Sequence, residues 1–341
     1  MSSSNPIALP SREQLAVLSA YQSPDDRQAA WQVGSTFGLY FLLLVATYAS
    51  AHFSALLTLA LSLSAAGLIV RIFMLQHDCG HNSLFHSVRI NRIVGVMCSV
   101  ATLTPFAYWR RLHARHHSSW NNLDRRGVPA DFYSDCLTLE EYRLLSRRQQ
   151  WLYRVSHHAA LIHVLLPPII FTVLYRLPFD TPASCKTERH SVYLLNFTLI
   201  ALYGALIAIF GLRMVLLVHV PAITLSAIIG IWLFSVQHRF EEAQWSHEEN
   251  WTATQSALQG ASYLKLPAIL CWLSANVGVH HIHHLRPGIP NYRLQACHSA
   301  SSALTGAVTT LSLATALKAP SYMLWDEASG RMVPFPETRS A

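Results

Sequence analysis

Residues 53–81 read FSALLTLALSLSAAGLIVRIFMLQHDCGH, an apolar run long enough to cross a bilayer that ends in two histidines spaced HxxxH. The run 53–75 asks for lipid around it, yet His77 and His81 stand at its very end. Three further runs of comparable length occur at 33–51, 192–212 and 214–236. Two weaker runs remain. The run 93–108 is short, and 159–177 carries a histidine and a double proline, so both are expected to be re-entrant or interfacial. Composition agrees with a membrane protein: 52% of the 341 residues are hydrophobic and 13% charged, where a soluble domain carries about a quarter charged.

The placement of Lys and Arg sets the sides. The connection near His52 holds no basic residue and the one near Arg213 holds only that arginine, so 24 of the 25 Lys and Arg lie elsewhere. By the positive-inside tendency both connections face out and the remainder faces the cytoplasm. The expected fold is all-α and polytopic, with four transmembrane helices in two hairpins, interfacial helices, and a cytoplasmic cap. The expected organisation is a cytoplasmic tail at 1–30, a membrane domain at 31–300 and a cytoplasmic C-terminal segment at 301–341. Both termini are expected inside, in the inner (plasma) membrane if the source is bacterial. Residues 1–28 lack the basic start and short apolar core of a signal peptide. Cys79, Cys98, Cys136, Cys185, Cys271 and Cys297 show no paired spacing, which argues against a disulfide framework or a zinc ribbon. The net charge of +7 comes from basic residues beside apolar runs, which points to a membrane surface and away from nucleic acid.

With the sides set, three histidine groups fall together. His77 and His81 are spaced i, i+4. His113, His116 and His117 follow in HARHH, and His280, His283 and His284 repeat the i, i+3, i+4 spacing in HHIHH. Each spacing puts its rings on one helical face. Neutral imidazole ligates iron, copper, nickel or zinc without adding negative charge beside the bilayer. Eight rings exceed the usual coordination of one metal, so two metals are implied. Nothing points to paired closed tetrahedra of structural zinc, and redox iron is the expectation. Surface or packing roles are expected for His52, His86, His190, His219, His247 and His298, structural roles for His157, His158 and His163, and an orienting or surface role for His281.

These residues, read with VQHRFEE and GVHHIHHLRPGIPNYRL, resemble the membrane fatty-acid desaturases, nearest the delta-12/omega-6 group. The likeness runs from about residue 31 to about 295. It implies a non-haem diiron centre, two Fe2+ ions, that uses O2 and two external electrons to remove two hydrogens from an acyl chain. An alkyl C–H bond offers no polar handle to a base or nucleophile, so cofactor chemistry is needed. The implied partners are a fatty-acyl substrate on lipid, coenzyme A or carrier protein, the bilayer, and a separate electron donor such as ferredoxin, since the chain has no HPGG motif. The resemblance also implies a ninth ligand, His238, which emerges from span four as His77 emerges from span two. One departure stands out. Where stearoyl-type relatives have an asparagine four residues earlier, this chain has Phe234, and Asn276 is the substitute considered.

Hydroxylation or acetylenation on the same scaffold is the alternative outcome. A metal transporter would need polar or histidine residues along the spans to form a pathway, and these offer little: His219 in span four and Asn196 in span three. Weaker features are the polar stretch 121–133 as a head-group or carrier contact, and Arg110, Arg111, Arg125 and Arg126 facing lipid phosphate or a donor protein. Glu241 and Glu242 are a further weak candidate, as acceptors that would orient ligand imidazoles.

Overall fold

The computed structural model describes residues 11–127, 133, 135–302, 306 and 308–337. Within them the chain is mostly helical with a few short strands. Helix α1 (Arg12–Ser19) precedes two long helices, α2 (Asp26–Ser50) and α3 (Ala55–Gly80). Ser54 caps α3 by accepting from the Leu57 amide, and the Ser50 and Thr58 hydroxyls meet at 2.9 Å across the turn. A second pair, α9 (Lys186–Phe210) and α10 (Leu212–His238), turns on Gly211 at φ +81°, a conformation that glycine adopts without penalty. These four helices match the four strong apolar runs. Helix α3 packs along α10, and the Ser62 hydroxyl donates to the Val218 carbonyl at 2.7 Å, close to the Pro221 interruption of α10. A polar side chain that satisfies a backbone carbonyl in this way suits an apolar surround.

By length and apolar character the described residues contain five candidate spans, or six if one bent pair is counted, where the sequence led us to expect four. The fifth is the helical run Arg147–Arg176, which holds the segment 159–177 expected at the interface. A π-helical turn at Leu161–Leu165 leads into a helix at Leu166–Thr172, so Pro167 and Pro168 fall in its first turn, where their missing N–H groups cost little. The run therefore continues through the prolines. The bent pair comprises α4 (Val88–Thr102) and α5 (Phe106–Ser119), which meet at 98°. Leu103 at φ +54° and Pro105 make the corner. The apolar run 93–108 spans that corner.

Burial along α3 and α10 shows how the cap sits on them. The first half of α3 is largely exposed, as a lipid-facing helix is, while nearly every residue from Leu68 to Gly80 is buried. Helix α10 likewise ends in an unbroken buried stretch, Leu233–His238. Helices α4 and α5 cover one side of this part of α3, and the cap adds the helical segment His280–Leu285, the α-helix Asn291–Ala300 and two small sheets. Strand Tyr263–Lys265 pairs in parallel with Thr310–Ser312, and Leu324–Asp326 lies between Leu137–Thr138 and Arg331–Val333. The segment beyond 301 is thus woven into the cap. The N-terminal stretch is also docked: Leu18 of α1 is fully buried in a cluster with Ile282, Leu285 and Leu294. Residues 1–10 and 338–341, and 128–132 within the polar stretch 121–133, lie outside the described residues.

Candidate metal centre and its apolar channel

The ends of α3 and α10, the C-terminal half of α5 and the segment His280–Leu285 meet beneath the cap and bring nine imidazoles together. They form two groups, each with its ring nitrogens within 4.8 Å of one another: His77, His81, His113, His117 and His283 in the first, and His116, His238, His280 and His284 in the second. All nine are the residues singled out in the sequence. The neighbours His116 and His117 go to different groups, as do His283 and His284. Adjacent helical residues point about 100° apart, so two helices each serve both groups and hold them in fixed relation. The rings of His117 and His284 stack at 4.4 Å across the boundary.

Hydrogen bonding alone does not account for these contacts. The Nε2 atoms of His238, His280 and His284 form a triangle with sides of 2.8, 3.1 and 3.1 Å. A neutral ring nitrogen carries either a hydrogen or a lone pair, so at most two sides of such a triangle can be hydrogen bonds. A shared cation satisfies all three. In the first group His113 Nε2 lies 3.0 Å from that of His81 and 3.1 Å from that of His117, which is 3.0 Å from that of His283. Two nitrogens bound at about 2.1 Å and at right angles to each other are about 3.0 Å apart. His77 Nε2 is buried with no partner at all. Burial holds the imidazoles of His280, His283 and His284 well below their ordinary value, which leaves them neutral lone-pair donors. The residues fit two metal ions with nitrogen preference.

An apolar channel between the candidate spans α3 and α10 reaches both groups. Its walls include Ile69, Phe73, Ile223, Ala227, Gly230 and Phe234, and it ends at His113 of one group and His116 of the other. Along α10 its lining runs from Ile223 to Phe234, eleven residues and about 16 Å of helix, room for an extended stretch of hydrocarbon chain. A Cβ on Gly230 would meet nothing within 4 Å. Phe234 stands where the two groups adjoin, its ring 6.2, 6.4 and 5.9 Å from those of His77, His113 and His280. On the cap side Trp120 covers the second group, 3.9 Å from the His238 ring, with its indole N–H donated to the Gly260 carbonyl. The sequence reading missed this channel, whose walls come from several segments and show no local spacing.

Other expectations are corrected. His281 is neither exposed nor in either group; it is fully buried, between the Ser262 carbonyl and His298. Glu241 does not reach an imidazole but binds Arg331 and Tyr322, and Glu242 is exposed. The Asn276 amide donates to the Asn291 carbonyl at 3.1 Å. Arg125 and Arg126 pair with Glu248 and Glu141. His86 sits at Asp26, His219 meets the Tyr48 hydroxyl at 3.0 Å, and His163 meets that of Ser235 at 2.9 Å, as expected of packing residues.

A family model described as fatty acid desaturase matches residues 51–308. A Bacillus subtilis protein named fatty acid desaturase is 39% identical over 318 residues, covering 93% of this chain and 89% of that one. An sn-1 oleoyl-lipid 12-desaturase of Picosynechococcus is 26% identical over 67% of this chain and 64% of its own length. An sn-1 acyl-lipid omega-3 desaturase (ferredoxin) of Nostoc is 25% identical over 69% and 64%. With the histidine groups and the channel behind it, the match over most of its length places this chain in the fatty acid desaturase family.

Proposed function

We propose that the chain is a diiron acyl-lipid desaturase working at the cytoplasmic membrane surface. The observation that carries this reading is the meeting of two imidazole groups at the inner end of one apolar channel. Iron bound by His77, His81, His113, His117 and His283, and by His116, His238, His280 and His284, would supply O2 reduction. The balanced change converts CH2–CH2 to CH=CH: the two protons and two electrons taken from the chain as hydrogens, with two external electrons and two protons, reduce O2 to two waters. The protein's own part is positioning and exclusion. Phe73, Trp109 and Phe234 hold an unactivated chain against His113 and His116 in a space lined mostly by hydrocarbon and aromatic side chains, which limits side reactions with water. An acyl-lipid substrate and a ferredoxin-type donor accord with the names of the cyanobacterial relatives. The delta-12/omega-6 position expected from the sequence draws on relatives at 25–26% identity, the level at which omega-3 enzymes also match. Product mapping assigns it.

The same arrangement supports a cytoplasmic site. His81 and His238 lie at the C-terminal ends of α3 and α10, opposite the two connections poor in basic residues, which favours the cytoplasmic side for the metal groups and for the cap into which Leu18 and the strands Leu324–Asp326 and Arg331–Val333 pack. The test is expression in a host whose lipids are only saturated and monounsaturated, with new double bonds located by mass spectrometry. New double bonds that vanish in His283→Ala support the reading. No new product from folded, iron-loaded protein contradicts it, and a hydroxylated product moves the assignment to the alternative outcome.

A further inference from the structure

The second residue of HDCGH, Asp78, and the asparagine of RPGIPNYRL, Asn291, have no part in the reading so far, yet the fold joins them. Asp78 is 3% exposed. One carboxylate oxygen lies 3.2 Å from His77 Nδ1. The other accepts from the Asn291 backbone N–H at 2.7 Å and from its side-chain amide at 2.8 Å. That amide is clamped in turn by Gln32 of α2, through contacts of 2.7 and 3.1 Å. Asn291 opens the helix Asn291–Ala300, so Asp78 also faces the positive end of a helix dipole.

Two points give this network a direction. No Lys or Arg among the described residues forms an ion pair with Asp78, although a carboxylate buried without a counter-charge is costly. A cation on the far side of the His77 ring offsets that cost. The tautomer agrees: with Nδ1–H donated to Asp78, the lone pair is left on Nε2, the buried atom that has no partner and belongs to the first histidine group. Within that group, His81, His113, His117 and His283 have no carboxylate partner among the described residues.

We infer that Asp78, held by Asn291 and Gln32, is a positioning residue that fixes the His77 tautomer and strengthens its donation to the metal of the first group. The inference rests on the diiron reading. It also gives RPGIPN a purpose, as the segment that seats the carboxylate behind the first histidine box.

The test uses full-length protein loaded with 57Fe and reduced, read by Mössbauer spectroscopy and by the rate of iron loss to a chelator. Asp78→Asn is expected to change one of two iron signals and to weaken iron retention roughly ten- to a hundred-fold, the usual cost of removing a partner behind a metal-bound imidazole. Gln32→Ala cuts the outer clamp and leaves the carboxylate–imidazole contact, so it should lower thermal stability with both signals kept. If Asp78→Asn does not fold, Asp78→Glu retains the charge one methylene displaced and is expected to perturb the same single signal. Unchanged signals and retention in a folded Asp78 variant overturn the inference, as does an equal change in both signals. Wild-type protein that fails to load two irons removes the diiron reading instead, so the two failures are told apart.

Discussion

His238 and His247 lie nine residues apart and carry the same imidazole into opposite surroundings. His238 is fully buried, its Nε2 crowded by those of His280 and His284. His247 sits on the cap rim with its side chain 49% exposed, between the carboxylates of Asp124 and Glu327. The rim histidine is complete as it stands, because each ring nitrogen has an acceptor and water covers the rest. The buried one is incomplete until a cation arrives. Burial and the convergence of Nε2 atoms set the candidate metal ligand apart here, its Nδ1 facing the Gly260 carbonyl; histidine content alone does not.

Substitution breaks the comparison most sharply. His238→Ala is expected to reduce desaturation by more than about a hundredfold, since losing even the partner behind a ligand costs ten- to a hundred-fold in affinity or activity. His247→Ala should leave iron content and turnover near wild type. Product yield and iron content in the two purified variants check this, and near-normal activity in a stably expressed His238→Ala removes His238 from the site.

The next effect comes through the backbone. A Cβ at Gly278 would lie 2.3 Å from the Leu264 carbonyl oxygen, and the Gly278 carbonyl accepts the Leu264 N–H at 2.8 Å. Gly278→Ala must push the strand away from the segment that carries His280, His283 and His284. A loss of about 1–3 kcal/mol is expected, read as a lower Tm together with reduced iron content. A lower Tm with full iron content would show that the third box tolerates the shift.

In the channel, Gly230→Phe extends a ring into the open space beside Gly230. It should leave iron content intact and lower turnover of long chains by roughly tenfold, with less effect on shorter ones. Equal loss for all chain lengths would place the acyl group elsewhere.

The smallest expected effect is the pH response of the rim. Hydrogen bonding to Asp124 raises His247 above its ordinary 6.5. The Glu248 backbone N–H, aided by His247, holds Asp124 below its ordinary 3.8. The histidine's contribution is full below pH 6.5 and fades as pH rises through its raised value. The aspartate's is full above pH 3.8 and fades as pH falls through its lowered one. Thermal stability of wild type relative to His247→Ala is therefore expected to be best between these limits. Both groups are exposed, so the difference is small. A difference that grows above pH 8 would contradict the assignment.

The parts of this molecule that could be read in its sequence are those with local periodicity. Four long apolar runs, the HxxxH and HxxHH spacings and their position at helix ends are patterns within one element, and the structure gathers those rings together. His238 needed family resemblance, because a single histidine has no spacing to read. What stayed hidden depends on contacts between distant segments. Asp78 meets Asn291 across 213 positions; the channel draws on several helices; the helical run through Pro167 and Pro168 depends on a π-turn with no sequence mark. Glu241 and Glu242 misled for a related reason: closeness in sequence to His238 placed carboxylates near it on paper, while the chain turns them towards Arg331 and solvent.

Metal content tests the two histidine groups most directly. Full-length protein purified from iron-replete cells, and assayed for iron, zinc and protein together, is expected to carry two irons per chain, with His247→Ala the same and His238→Ala short of one. Zinc in place of iron at the same total of two points to mismetallation, since zinc outranks ferrous iron in affinity, and iron reloading should then restore both sites. A total of one metal or none, after reloading of folded wild-type protein, would contradict the two-group reading.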